Sequence, residues 1–348
     1  MKIASNKTKM PSAKATAGRL EQALAIVAES YDLGLDEQSV QSIAAAGFHT
    51  DTLALAIVAT DILMDEQPIT LRGLMYRVVS AGWLPSTDEK YYKQLGRIMT
   101  QLRECGLVPF DWIVDGIRTT DKPSSWSGLA DFADTVRNAY RLDFWARLPH
   151  YVHFIVEKDA IAGTLSPVTN EYDVSLSPIR GNSSLSFMHD IAESWSRIPK
   201  PLFCYYLGDF DPSGFDLERD VREKLARYCP GNNLFVTGDL IEEGWLEAAD
   251  DSCIVFNRLG VLEPDFDEFD LLPLDVKDSD TRAAKFREVH GDRCAELDAI
   301  PSTELRQRVT DVIESHIDIR RDEWERLQTI EESEKETLGK FVDGMKGR

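Results

Sequence analysis

Apolar residues in the first half of the chain recur at helical intervals of three and four positions. The first such set is Leu20, Ala23, Leu24 and Val27, and the second is Leu53, Leu55, Ile57 and Val58. We therefore predict a helical leader over residues 15–66. Residues 1–14 hold four lysines and no acid, which indicates a basic flexible arm that either contacts phosphate or is a solvated tail.

From Pro68 to residue 120 the pattern predicts a helix, a turn, a second helix and a short apolar run, VPFDWIVDGI, typical of a β-wing. Thr70 can cap the first helix, and Gly82 is placed to end it. We predict a winged-helix DNA-binding domain over residues 67–120. A further amphipathic helix is expected at 128–147, within a linker over residues 121–148.

The second half of the chain alternates between strand and helix. Four strands are predicted, YVHFIVEK, YDVSLSPI, PLFCYYLGD and NLFVTG, with helices between them. This order favours an α/β fold with a parallel, Rossmann-like sheet and helices on both faces, here over residues 149–300. Such sheets bind ligands at the carboxyl ends of their strands. Residues 301–348 are expected to form an acidic, helical C-terminal extension.

The net charge of −21 opposes nucleic-acid binding, but it is unevenly distributed. Residues 150–348 carry 42 acidic and 23 basic side chains, whereas the first 149 residues are nearly neutral. DNA, if bound, must therefore be held by the first half. The five scattered cysteines indicate reduced thiols, and no apolar run is long enough to suggest a membrane helix. We expect a cytoplasmic protein.

Three acids close two of the predicted strands. Glu157 ends FIVE, and Asp209 and Asp211 end YYLGDFD. Positions i and i+2 of an extended segment point to the same side, so both aspartates can face one point beyond the sheet edge. Carboxylate oxygens suit Mg²⁺, which bridges to substrate phosphate. A metal site is thus predicted from Glu157, Asp209 and Asp211, with Mn²⁺ as a substitute ion.

The order of these parts, from E-K-D at a strand end to D-F-D-P-S-G after the third strand, resembles the Toprim domain of topoisomerases, primases and certain nucleases. The resemblance covers about residues 150 to 250. It implies that Glu157 is a general acid or base, or a ligand, and that Asp209 and Asp211 hold the metal. Lys158 and Arg180 are expected to contact DNA, although Lys158 is equally an exposed lysine. Glu296 and Asp298 are either ligands of a second ion or surface acids.

Tyr76 is the candidate nucleophile. In the helix TLRGLMYRVVSAGW the apolar face consists of Leu71, Leu74, Met75, Val78 and Val79. At 100° per residue Tyr76 lies roughly 130° from the centre of that face and about 40° from Arg72. We therefore expect Tyr76 on the polar face, where Arg72 can hold phosphate or favour the phenolate. A packed or interface tyrosine is the alternative.

The pattern T-x-R-x-x-x-Y resembles the stretch around the active tyrosine of topoisomerase VI A subunits and of the related meiotic double-strand-break transesterase. Those proteins also place a winged helix before a Toprim domain, so the likeness spans about residues 67 to 250. They usually have two adjacent tyrosines, whereas this chain has Met75 before Tyr76. The resemblance implies a DNA-cleaving transesterase that acts on double-stranded DNA as a homodimer. It also implies a separate ATPase subunit, if strands are passed, and a location at the nucleoid.

The next predicted helix, EKYYKQLGRIMTQLRE, has Lys90, Lys93 and Arg97 opposite its apolar face. A helix that enters a DNA groove requires such a face, although a solvated basic face fits the pattern almost as well. Two other functions remain open for the whole chain. One is a hydrolytic Toprim nuclease of the plasmid or phage defence type, in which Tyr76 is not a nucleophile. The other is a non-catalytic DNA-binding protein.

Overall fold

The computed structural model describes residues 13–114, 123–179, 184–229, 235–236 and 254–346. The chain divides into two compact units. The first takes its described residues from Met1–Asp115, Glu263–Asp275 and Arg293–Leu305, and the second from Gly116–Leu262, Val276–Asp292 and Arg306–Arg348. Two late segments thus belong to the first unit. This division differs from the prediction, which placed residues 149–300 in a single domain. No helix in the described ranges is long and apolar enough to cross a membrane.

The first unit is mainly helical. Its elements up to residue 114 are α1 (Ala13–Ala28), α2 (Glu37–Ala45), α3 (Thr50–Glu66), β1 (Ile69–Thr70), α4 (Leu71–Ser80), α5 (Glu89–Glu104), a 3₁₀ helix (Phe110–Trp112) and β2 (Ile113–Val114). Helix α3 is buried along most of its length, because its sequence is apolar on nearly all sides. The helices predicted within residues 15–66 are confirmed.

The helix, turn and helix expected after Pro68 are present as α4 and α5, and Thr70 caps α4 by accepting a hydrogen bond from the Gly73 N–H. Of the predicted wing, β2 is described and pairs in parallel with β1, Ile69 lying opposite Ile113. Residues 115–122 lie outside the described ranges. The winged-helix assignment therefore stays a prediction.

The late segments add four short elements to the first unit. These are α10 (Asp265–Glu268), β8 (Leu274–Asp275), β9 (Arg293–Cys294) and a 3₁₀ helix (Leu297–Ala299). Strands β8 and β9 pair antiparallel, and the 3₁₀ helix packs against α4. A late segment of the chain therefore packs against the helix that carries Tyr76.

The second unit is built on a parallel sheet in the order β4-β3-β5-β7-β6. Its strands are β3 (Tyr151–Val156), β4 (Ser175–Pro178), β5 (Leu202–Leu207), β6 (Phe235–Val236) and β7 (Ile254–Gly260). All six residues of β5 are buried, as expected for an inner strand with both faces covered. The predicted mixed α/β fold with a parallel sheet is confirmed. Strand β7, which the sequence analysis did not predict, is an addition.

The helices of the second unit are α6 (Leu129–Ala139), α7 (Asp159–Glu171), α8 (Leu185–Trp195), α9 (Pro212–Tyr228), α11 (Ala283–His290), α12 (Ser302–Asp318) and α13 (Arg321–Lys346), of which α12 begins in the first unit. The helix predicted at 128–147 ends at Ala139, eight residues earlier than expected. Beyond it, Phe144 and Trp145 are buried against Trp324 of α13, with ring centroids 4.7 and 5.9 Å from that of Trp324. The last two turns of the predicted helix are therefore absent, and the residues there pack against α13 instead.

Candidate active site

Glu157 and Asp209 lie at the same edge of the sheet. Strands β3 and β5 are parallel neighbours, with Val156 opposite Leu207, and Glu157 directly follows β3. The Glu157 N–H donates to the carbonyl of Leu207, 2.9 Å away. The predicted meeting of these acids at the carboxyl edge of the sheet is confirmed.

The carboxylate of Glu157 turns toward the neighbouring strand end. Its Oε2 accepts a hydrogen bond from the backbone N–H of Asp209 at 2.9 Å. Glu157 is 9% exposed and Asp209 7% exposed. Two acids are thus held largely out of water, and the carboxylate of one is hydrogen-bonded to the backbone of the other. Such a position is unfavourable for charged carboxylates unless cations or donors compensate them.

Lys158 supplies part of this compensation. Its Nζ lies 2.9 Å from Oδ2 of Asp209, and the lysine side chain is 30% exposed. It is therefore an ion-pair partner of a predicted metal ligand rather than a free surface lysine. A lysine that faces both this carboxylate and solvent can also meet a phosphate, so its predicted DNA contact stays a prediction.

Asp211 forms the turn into α9. It is the N-cap of that helix, and its Oδ1 accepts hydrogen bonds from the Gly214 N–H at 2.6 Å and the Ser213 hydroxyl at 2.7 Å. Gly214 has no room for a side chain, because an added Cβ would lie 2.2 Å from the carbonyl oxygen of Asp209. The sequence D-F-D-P-S-G thus encodes a tight turn that holds both aspartates close to the N-terminus of α9.

Arg258 on β7 supports the same turn, and sequence reasoning missed it. Its guanidinium donates to the carbonyls of Gly208 and Asp209 through Nη2, at 2.9 and 2.5 Å, and to the carbonyl of Val261 through Nε, at 2.9 Å. Nη1 lies 2.6 Å from Oε2 of Glu218, and both side chains are nearly buried. The guanidinium also lies over the Phe215 ring. The Arg258 side chain thus stabilises the backbone turn on which Asp209 lies.

The pKa of Glu157 is raised above its ordinary value, because burial disfavours the charged carboxylate and Asp211 adds repulsion. The Asp209 N–H, Lys158 and Arg258 oppose this shift without cancelling it. A carboxyl group with a raised pKa retains its proton at higher pH, which suits a general acid.

The donor set of Glu157, Asp209 and Asp211 consists only of carboxylate oxygens, which is the chemistry that Mg²⁺ prefers. Glu157 and Asp209 lie buried at one edge, but the ligand atoms of the three acids do not all lie within 4.8 Å of one another. Binding requires Asp209 to exchange Lys158 for the ion and the Asp211 carboxylate to face it. Within the described ranges, only His189, Asp190 and Glu193 have ligand atoms all within 4.8 Å of one another. That exposed group on α8 is ordinary for a helix surface.

Tyr76 is buried. It lies on α4 and is 1% exposed, so the expectation that it faces away from the core on an open polar face is wrong. The polar face of α4 is covered within the first unit by the segment that contains the 3₁₀ helix Leu297–Ala299. Whether Tyr76 is a nucleophile stays a prediction.

Arg72 is on the same face and remains partly exposed. Its Nε lies 3.5 Å from Oε2 of Glu296, and its guanidinium lies over the ring of Tyr92. Asp298 is buried and accepts a hydrogen bond from the hydroxyl of Thr70. Glu296 and Asp298 therefore contact α4, and Asp298 is not a surface acid. No local pattern in the sequence indicated these contacts.

The basic side chains of α5 are exposed as expected. Lys90, Lys93 and Arg97 lie opposite a buried face that includes Leu95 and Ile98. Lys93 pairs with Glu89 at 3.2 Å, and Lys90 lies over the Tyr91 ring. Their contact with DNA stays a prediction. Arg180 lies outside the described residues.

A scan against protein-family models finds no match for the chain, and a search of curated proteins finds none either.

Proposed function

We propose that the chain cleaves double-stranded DNA by phosphodiester transesterification at the sheet edge formed by Glu157, Asp209 and Asp211. The observation that carries the proposal is the buried Glu157 carboxyl, hydrogen-bonded to the Asp209 backbone and raised in pKa. A carboxyl in this state can donate a proton to a leaving oxygen. Its two neighbours can hold Mg²⁺, with Mn²⁺ as a substitute.

In the proposed step the phenolic oxygen of Tyr76 forms a bond to phosphorus while the bond from phosphorus to the 3′-oxygen breaks. The phenolic proton passes to solvent, and the 3′-oxygen takes its proton from Glu157. The products are a 5′-phosphotyrosyl link and a free 3′-hydroxyl. Arg72 and Lys158 hold the phosphate. When bound, Mg²⁺ supplies charge neutralisation of the phosphoryl oxygens.

The proposed enzyme is a homodimer in which Tyr76 of one protomer meets the acids of the other. Self-association is supported by an apolar surface on α6 and its approach, where four large side chains are exposed to solvent: Trp126, Leu129, Phe132 and Val136. Exposed apolar patches of this kind mark interaction surfaces. Strand passage, if it occurs, is assigned to a separate ATPase subunit.

The second candidate is a hydrolytic nuclease in which water attacks the phosphorus and Tyr76 only supports the fold. The burial of Tyr76 favours this candidate, because a nucleophile must reach its substrate. The acid cluster is the same in both cases. The two functions therefore differ only in the attacking oxygen.

Incubation with supercoiled plasmid and Mg²⁺ or Mn²⁺, followed by denaturation with and without protease, separates these functions. Transesterification predicts cut DNA linked to protein, which disappears in Tyr76→Phe but persists in the matched variant Tyr91→Phe. Cleavage that survives Tyr76→Phe with free ends identifies the hydrolytic nuclease.

The metal site has its own pair of variants. Asp209→Asn is expected to abolish cleavage, whereas Asp190→Asn, in the exposed group on α8, is expected to leave it unchanged. Unchanged cleavage in Asp209→Asn would reject the proposed site. DNA binding without cleavage, in the presence of either Mg²⁺ or Mn²⁺, would indicate a non-catalytic DNA-binding protein.

A further inference from the structure

The polar face of α4 is occupied by a segment of the same unit, residues 296–299, which we call the α4 cover. Glu296 pairs with Arg72, and Asp298 accepts from Thr70. The carbonyl of Ala299 accepts from Nη2 of Arg77. Three of the four residues of the α4 cover thus make a polar contact with the helix or its N-cap.

These contacts span the position of Tyr76. Measured around the helix from Arg72 at 100° per residue, Tyr76 lies at about 40°, Arg77 at about 140° and Thr70 at about 160°. The α4 cover contacts both sides of this arc, so it crosses the face on which Tyr76 lies. The burial of Tyr76 agrees with this path.

The chemistry of the α4 cover matches that of a DNA backbone. A carboxylate contacts one arginine and a carbonyl oxygen contacts a second arginine, as phosphate oxygens would. Nε of Arg77 is buried and has no hydrogen-bond partner, and burial lowers the pKa of Arg77. An arginine in this position gains more from an anion than from a neutral carbonyl.

The α4 cover is attached at both ends. Before it, β9 pairs with β8. After it, the N–H and hydroxyl of Ser302 each donate to Oε2 of Glu66 at 2.7 Å. Leu297 and Ala299 are buried, whereas the Glu296 side chain is 26% exposed, so a phosphate can replace this carboxylate while the segment stays in the unit.

From these contacts we infer that residues 296–299 are an autoinhibitory mimic of a DNA phosphate backbone. They occupy Arg72 and Arg77 and cover Tyr76 until DNA displaces them. The inference rests on the proposal that this face of α4 meets DNA. It explains how a buried tyrosine can serve a cleavage reaction, because access to it depends on exchange of Glu296 for a phosphate.

The test is metal-free binding of a short fluorescent DNA duplex by the full chain, followed by anisotropy over a range of salt concentrations. Glu296→Gln removes one charge with little change of shape. It is compared with Glu304→Gln, which removes one exposed charge from the same unit without a described contact to α4. The comparison subtracts the general effect of lower negative charge.

Glu296→Gln is expected to bind DNA about two- to fivefold more tightly than Glu304→Gln, the range for release of a partly exposed ion pair. The slope of log K against log salt should steepen by about 0.9, equivalent to one further phosphate. Both gains should vanish when Arg72→Gln is added. Glu296→Asp, which keeps the net charge but shortens the side chain, should show part of the gain and serves if Glu296→Gln fails to fold.

Equal affinities of Glu296→Gln and Glu304→Gln would overturn the inference, as would a gain that persists without Arg72. Parallel plasmid cleavage assays distinguish this failure from that of the proposed function. If the wild-type chain cleaves plasmid but Glu296→Gln shows no gain in DNA affinity, only the inference about the α4 cover is rejected. An Arg72-dependent affinity gain without cleavage rejects the enzyme and supports the α4 cover.

Discussion

Removal of the Arg258 guanidinium is the perturbation whose size follows most directly from the structure. Arg258→Met keeps a long apolar side chain on β7 but removes the ion pair to Glu218 and the hydrogen bonds to three carbonyls. Because the Glu218 side chain is nearly buried, its carboxylate is left without this cation in a poorly solvated position. Loss of one partner from a buried pair destabilises proteins by about 3–5 kcal/mol.

The expected result is a fall in melting temperature on the order of 10 °C, since a loss of about 1 kcal/mol of unfolding free energy lowers the melting temperature of a unit of this size by about 2–4 °C. The matched control is Arg219→Met on α9. Its guanidinium also pairs with acids, Asp216 and Glu223, but it is exposed, so little change is expected. Arg258→Lys should fall between wild type and Arg258→Met, because lysine keeps the charge but not the planar fork.

Glu218→Gln added to Arg258→Met should recover part of the loss by removing the unpaired charge. Differential scanning fluorimetry and far-UV circular dichroism in urea measure all four variants. If Arg258→Met melts within about 2 °C of Arg219→Met, the guanidinium does not stabilise the turn at Asp209 as we argue.

Three further predictions follow from buried groups and exposed surfaces. Burial lowers the pKa of His153 to about 4, so the stability that depends on its neutral form is complete above pH 6.5 and is lost as pH falls toward 4. His153→Gln should remove this loss, which amounts to about 2 kcal/mol of unfolding free energy between pH 7 and 5, and so flatten the change of melting temperature with pH. An unchanged slope would contradict this. Gly214→Ala should lower the free energy of unfolding by at least about 2 kcal/mol and impair cleavage, because the added Cβ clashes with the Asp209 carbonyl. Gly339→Ala on α13, whose added Cβ meets only Arg137 Cδ at 3.9 Å, should be neutral or stabilising. Equal urea midpoints of the two variants would contradict this expectation. Leu129→Arg on the exposed face of α6 should dissociate the proposed dimer in analytical ultracentrifugation, and an unchanged sedimentation coefficient would exclude this face as the interface.

Local periodicity was sufficient to predict the helices of the first unit up to residue 104 and strands β3 and β5. Each of these elements buries a face that is apolar in its own sequence, so the pattern and the structure have the same cause. The same reasoning placed Glu157 and Asp209 at one edge, because parallel strands end together. Strand β7 was missed, since its apolar start runs into Asn257 and Arg258, and a buried arginine interrupts the pattern of an inner strand.

The surroundings of Tyr76 could not be predicted in this way. The helical period separates Tyr76 from the leucine face, but it contains no information on what covers the opposite face. The covering residues come from more than 200 positions later in the chain, with Thr70 bonded to Asp298 and Arg77 to Ala299. The early end of α6 has a similar origin, because Trp324 packs on Phe144 from a distant helix. Contacts of this kind depend on the fold and not on local sequence.

The most direct test of the proposed reaction is mass spectrometry of the protein after reaction with DNA and Mg²⁺, denaturation, and digestion with nuclease and trypsin. Trypsin cleaves after Arg72 and Arg77, so Tyr76 lies in the peptide of residues 73–77. We predict this peptide with a nucleotide linked through phosphate to Tyr76, and no such peptide from Asp209→Asn. Cleaved DNA accompanied only by the unmodified peptide would contradict tyrosine attack and assign the reaction to water.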